Sequence, residues 1–243
     1  MKLVITGATG LVGTEVIRQS LSIPGITSVV ALGRREVLAP SSVRPSADPS
    51  KLKSVILKSF DEDLPEDVKN QLRGVNACIW LLAITPSKSK TFPWEEVRKV
   101  NLDYTVAGMQ SLMAVSEKPF RFIYTSGQMS ERDQSKKLAL LGDYRLLRGE
   151  AENQVLSLAD KREGSTEAQI VKPGIIDGPG RGMLVRAALA ATAALGGISK
   201  VHVSEIAACL LDQAINGFEK ETLENADLIR IAKKNLKDDD YVK

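Results

Sequence analysis

The sequence predicts an α/β protein, a doubly wound parallel sheet forming one domain, with a small and mostly helical cap from about 175 to 243. Three observations predict it. Short apolar runs alternate with helical patterns along most of the chain, which is the order of a parallel sheet with crossover helices. The apolar runs are continuous rather than alternating, so both faces of each strand are covered. A glycine-rich turn directly follows the first run.

Taken in order, Lys2–Thr6 reads as the first strand and Leu11–Leu21 as the first helix. Thr27–Leu32 is the second strand, and Ser54–Leu57 the third, after a Pro/Ser-rich loop at Pro40–Ser50. Val75–Leu82 is the fourth strand and Phe120–Thr125 the fifth, with helices at Trp94–Val115 and Asp143–Asp160 on either side of the fifth. Ala168–Lys172 is the sixth strand and stops at Pro173-Gly174. Beyond a Gly/Pro loop at Gly178–Gly182, only Val201–Val203 reads as extended. The charged end, Lys237–Lys243, reads as frayed.

Composition narrows the function classes. The 243 residues are 43% hydrophobic and 26% charged, ordinary for a globule that folds without disulfides or metal. A net charge of +3 is too small to predict a nucleic-acid groove. Two cysteines, Cys78 and Cys209, and one histidine, His202, offer no zinc site and predict a reducing compartment, taken as the cytoplasm. No signal peptide is visible, and the longest weakly polar stretch, Ala187–Ile198, is too short to span a membrane.

The turn after the first strand carries the chemistry. Gly7, Gly10 and Gly13, with Thr9, Leu11 and Val12 between them, join strand to helix. Such glycines permit a tight turn, close approach to a pyrophosphate, and close packing of helix on strand, while the helix N-terminus offers free N–H groups to phosphate. The second strand then decides between dinucleotides. An acidic residue there selects the ribose hydroxyl of NAD, whereas Arg34 and Arg35 follow Gly33 here. A guanidinium binds a 2′-phosphate bidentately, so the expected cofactor is NADP(H). Glu36 is the alternative ribose contact.

These motifs resemble the extended and atypical short-chain dehydrogenase/reductases, which are Rossmann-fold proteins, and their Tat-interacting-oxidoreductase-like branch. Val100-Asn101-Leu102-Asp103, Tyr124-Thr125-Ser126-Gly127, the Tyr144–Glu152 segment and Val171-Lys172-Pro173-Gly174 carry the likeness. The resemblance implies a reductase of a small-molecule carbonyl, with Tyr144 as general acid. Ser126 would hold the carbonyl oxygen, with Thr125 in reserve because Gly127 occupies the place of the usual hydroxyl. Arg148 stands where the family has lysine. It would support Tyr144, pulling its pKa down, and bind the nicotinamide ribose; Lys136, Lys137 and Lys172 are the alternatives. Asn101 would order the site, Ser59, Phe60 and Asp61 would lie at the adenine with Asp61 accepting from its amino group, Leu82 and Ala83 would wall the cofactor, and Pro173, Gly174 and Ile175 would border the nicotinamide.

Two further functions remain open at this stage: an NADP(H)-binding regulator without turnover, and a non-redox enzyme performing elimination or rearrangement. Met183, Leu184 and Leu189, with the Ala187–Ala194 stretch, predict an apolar substrate pocket. Trp94 shapes its mouth or packs. Glu95, Glu96, Arg98, Lys99, Arg145 and Glu152 would charge a surface that serves as a dimer face in this superfamily, which leaves monomer and homodimer both open.

Overall fold

The computed structural model describes residues 1–41, 43–162, 164–179, 198–236 and 240–242. Seven strands form one parallel sheet in the order β3-β2-β1-β4-β5-β6-β9, where β1 is Lys2–Thr6, β2 Ser28–Gly33, β3 Leu52–Ile56, β4 Val75–Trp80, β5 Ser116–Thr125, β6 Thr166–Lys172 and β9 Thr222–Glu224. A separate parallel pair joins β7 (Ile175–Asp177) to β8 (Lys200–His202). The strand order reverses between β1 and β4. In doubly wound sheets that reversal opens a crevice at the carboxyl ends of the strands, where ligands bind.

Two apolar layers hold the helices to the sheet. On one face α1 (Leu11–Ser20), α7 (Val203–Asn216) and α8 (Asn225–Ala232) cover Leu3, Ile5, Ala31, Ile79 and Ile123. On the other, α2 (Glu66–Leu72), α5 (Tyr104–Val115) and α6 (Gly142–Asp160) cover Val4, Val30, Cys78, Trp80, Phe122 and Tyr124. Odd and even strand residues thus serve opposite layers, as the pleat requires. Two short helices, α3 (Pro86–Ser89) and α4 (Trp94–Arg98), follow β4.

Several elements differ from expectation. The helix expected over Trp94–Val115 is interrupted by a π-turn at Lys99–Asp103 between α4 and α5. The fifth strand begins four residues early, at Ser116, and the third at Leu52. The C-terminal third does more than cap the ligand edge: β9 extends the sheet alongside β6, and α7 packs on α1. Residues 240–242 are docked, not frayed. Arg18 donates to the Asp240 carbonyl at 3.0 Å, Arg44 pairs with the Asp240 carboxylate, and the Val242 amide reaches Ser204 Oγ at 3.2 Å. His202 caps α7, its Nδ1 accepting from the Ser204 amide. Glu152 is fully buried rather than part of a charged surface. Asp238, Asp239, Met183, Leu184 and Leu189 lie outside the described residues.

Candidate cofactor and active site

The β1–α1 turn is shaped by its glycines. Gly7 has φ +64°, and a Cβ there would sit 2.7 Å from the Leu81 carbonyl oxygen. A Cβ on Gly13 would press to 2.7 Å from Ala8 Cα. Larger residues fit neither position without moving backbone. The turn closes with the Gly10 amide donating to Gly7 O at 2.9 Å. Helix α1 then begins without a side-chain cap and without an acidic residue in its first turn. Thr9 and Gly10 are exposed. The first amides of α1 thus have no side-chain cap, and the turn fits a dinucleotide pyrophosphate. Buried Thr6 braces the turn from below, its Oγ1 accepting from the amides of Leu81 and Leu82 at 3.1 and 3.3 Å.

Arg34 and Arg35 follow β2, both exposed, and neither forms a hydrogen bond or ion pair among the described residues. Beyond β3, Phe60 packs against Trp80 and Tyr104 at ring separations of 5.2 and 5.7 Å. Asp61 is engaged by its own protein: Lys99 Nζ lies 2.9 Å away and the Tyr104 hydroxyl donates to it at 3.1 Å. The Lys99 contact holds the Asp61 carboxyl below its ordinary value. Ser59 Oγ accepts from the Asp61 amide at 3.2 Å. Leu82 and Ala83, at the end of β4, are half-buried.

The loop after β4 meets the π-turn. Asn101 is wholly buried and grips Ile84 at both ends, accepting from its amide at 3.0 Å and donating to its carbonyl at 3.1 Å. A π-turn places this amide where a regular helix would not, and such insertions recur at functional sites. Tyr144, in the first turn of α6, donates its hydroxyl to the same Ile84 carbonyl at 2.9 Å. Burial pushes the Tyr144 phenol above the ordinary tyrosine value, and the Arg148 charge offsets this only in part. The downward pull expected from sequence loses to desolvation, because the ring is 9% exposed.

Arg148 lies one helical turn on and is turned inward. It donates to Thr125 O at 2.6 Å and to Asn101 Oδ1 at 3.4 Å, and its guanidinium covers the Tyr124 ring at 4.7 Å. Lys172, Lys136 and Lys137 do not take its place. Lys172 lies 3.5 Å from Glu152 and donates to Ser130 O, Lys136 pairs with Glu131, and Lys137 is exposed.

At the end of β5 the two hydroxyls differ. Ser126 donates to the buried Glu152 carboxylate, while Thr125 Oγ1 is buried with no hydrogen-bond partner among the described residues. Glu152 also accepts from Ser130 and, at 2.8 Å, from Arg132 Nε. No sequence signal singled out this carboxylate as a hub. Its partners lie up to 26 residues upstream and 20 downstream, at Ser126 and Lys172. A side chain at Gly127 would meet nothing within 4 Å. After β6, Pro173 is buried, the Gly174 amide donates to Asn225 Oδ1 at 2.8 Å, and the Ile175 amide donates to Ser199 O at 2.8 Å. Gln128 and Asn225 were not anticipated; they stitch this turn to the β5 loop and to Lys200.

The same fold recurs in solved structures. DesIV, a dTDP-glucose 4,6-dehydratase from Streptomyces venezuelae solved with NAD bound, matches with a TM-score of 0.66 at 17% identity, over 100% of this chain and 84% of that one. A short-chain dehydrogenase/reductase from Saccharomyces cerevisiae matches with a TM-score of 0.63 at 15% identity, over 95% and 98%. The fold is that of the short-chain dehydrogenase/reductases. Within that fold the chain is 28% identical to Protein FMP52, mitochondrial, from Candida albicans, over 73% of this chain and 68% of that protein. No family model matches the sequence. Among the described residues, no helix is long and apolar enough to cross a membrane, and no cluster of His, Cys, Asp or Glu is arranged for metal.

Proposed function

We propose that the chain binds NADP(H) and reduces a carbonyl of a hydrophobic small molecule. The observation that carries this reading is the glycine turn that opens α1, followed at β2 by two arginines with no partner among the described residues. The turn and the α1 amides hold the pyrophosphate, and Arg34 and Arg35 read the 2′-phosphate. Ser59 and Phe60, with Leu82 and Ala83, flank the adenosine. Asp61 keeps its Lys99 and Tyr104 contacts and leaves the adenine to these neighbours. Pro173, Gly174 and Ile175 wall the nicotinamide end. NADPH bound there supplies the hydride.

Tyr144 supplies the proton. Its raised pKa keeps the phenol protonated throughout the neutral range, and its proton moves from the Ile84 carbonyl to the substrate oxygen. Ser126 spends its proton on Glu152, so Thr125 is the hydroxyl at this strand end still able to donate. The two buried free cysteines support a reducing compartment such as the cytoplasm, whereas the relative from Candida albicans is named as mitochondrial.

A second reading, an NADP(H)-binding regulator without turnover, draws on one observation: the cation at position 148 is engaged by backbone. A carbonyl panel followed by nicotinamide absorbance separates the two. The reductase reading expects turnover on at least one apolar ketone or aldehyde, and a loss of ~100-fold or more in Tyr144→Phe. Turnover unchanged by that substitution removes the acid role, and tight NADPH binding with no turnover on any carbonyl favours the regulator.

A further inference from the structure

We infer that Arg148 is a clamp on the protein's own backbone and not a ligand of the nicotinamide ribose, so that the adenosine half supplies nearly all of the cofactor's affinity. The inference rests on the dinucleotide reading above and adds to it how the binding energy is distributed.

Arg148 is 4% exposed, and no carboxylate pairs with it among the described residues. A buried cation must be solvated by the protein. Here the Thr125 carbonyl, Asn101 Oδ1 and the face of Tyr124 do this. These groups come from the end of β5 and from the π-turn, and Asn101 in turn fixes both backbone groups of Ile84. A planar guanidinium spans two acceptors and lies flat on a ring; a lysine ammonium is a point charge and does neither at once. The residue type therefore suits the clamp better than the ribose. Reaching a ribose hydroxyl would strip the Thr125 carbonyl of its side-chain donor and pull the cation off Tyr124.

The adenosine end is the opposite case. Among the described residues, no side chain caps the α1 amides and neither Arg34 nor Arg35 has a hydrogen bond or ion pair that a ligand must first break. Binding at that end meets prepared donors, while the nicotinamide ribose finds its customary cation withdrawn.

The direct test uses the unaltered protein and adenosine 2′,5′-bisphosphate, which keeps the 2′-phosphate and one 5′-phosphate and lacks the nicotinamide riboside. Its dissociation constant should lie within about tenfold of that of NADPH, equivalent to ~1.4 kcal/mol. A larger gap in favour of NADPH overturns the inference while leaving the dinucleotide reading standing. Binding of neither ligand overturns the dinucleotide reading and the inference with it. Arg148→Met gives a second readout: the thermal midpoint should fall while the ratio of the two affinities holds. A variant that folds and loses NADPH affinity more than tenfold, with the bisphosphate unaffected, would show a ribose contact. If it does not fold, the competition on the unaltered protein still decides.

Discussion

Glu152→Ala should be among the most destabilising single changes in the chain. Its carboxylate is fully buried and accepts from Ser126, Ser130 and Arg132, with Lys172 Nζ at 3.5 Å. Removing one side of a buried ionic cluster costs ~3–5 kcal/mol, because the remaining charge loses its compensation. The lower half of that range applies here: Arg132 is 31% exposed and retains Glu221, so only Lys172, at 12%, is left nearly enclosed. Two hydroxyl bonds add ~1 kcal/mol each. The sum is about 5–6 kcal/mol, or a drop of ~10–24 °C in Tm for a chain of this size. Glu152→Gln keeps the shape and one acceptor and should cost about half as much. Thermal unfolding followed by circular dichroism measures both. A fall under ~2 °C for Glu152→Ala would refute the reasoning, since it would mean the carboxylate is no better solvated by its four partners than by water.

The remaining predictions concern the π-turn and the alkaline limb. Asn101→Ala should cost ~1–3 kcal/mol, because the buried Ile84 amide loses its partner while the Ile84 carbonyl keeps the Tyr144 hydroxyl; urea unfolding checks it, and a shift below ~0.5 kcal/mol contradicts it. Stability should fall as pH rises. Burial raises the pKa of Tyr124, Tyr144, Cys78 and Cys209 in the folded chain, so the unfolded chain loses those protons first. Their contribution is whole below the unfolded values, ~8.5 for cysteine and ~10 for tyrosine, and is lost as pH climbs toward the folded ones. Urea midpoints at pH 8 and pH 11 should differ accordingly, with a shallower decline in Tyr124→Phe; a flat profile would contradict it.

Much of this was legible from residues. Continuous apolar runs marked β1, β2, β4, β5 and β6 because buried parallel strands have no polar face to betray a different period, whereas β3, at the sheet edge, buries only Val55 and is not covered on both faces. The glycine turn was legible because its requirement is local: Gly7 needs a positive φ, and Gly13 has no room for a side chain. The face shared by Tyr144 and Arg148 followed from helical spacing. What escaped depends on distant pairing. Strand β9 has three residues and exists only because β6 offers it an edge. Ser126 reads as a donor to substrate until Glu152, on the next helix, is seen to accept its hydrogen bond. Asp61 reads as an adenine contact until Lys99 and Tyr104 reach it across α5 and the π-turn. Arg148 reads as a site cation until its direction, inward to Thr125, is seen.

Paired titrations of NADPH and NADH against the protein and an Arg34→Ala/Arg35→Ala variant test the central claim most directly. Both arginines are exposed, so solvent screens them and the discrimination should be modest. The account predicts NADPH binding roughly tenfold or more tighter than NADH, a preference that weakens with salt and disappears in the variant. Equal or tighter binding of NADH by the unaltered protein would contradict it.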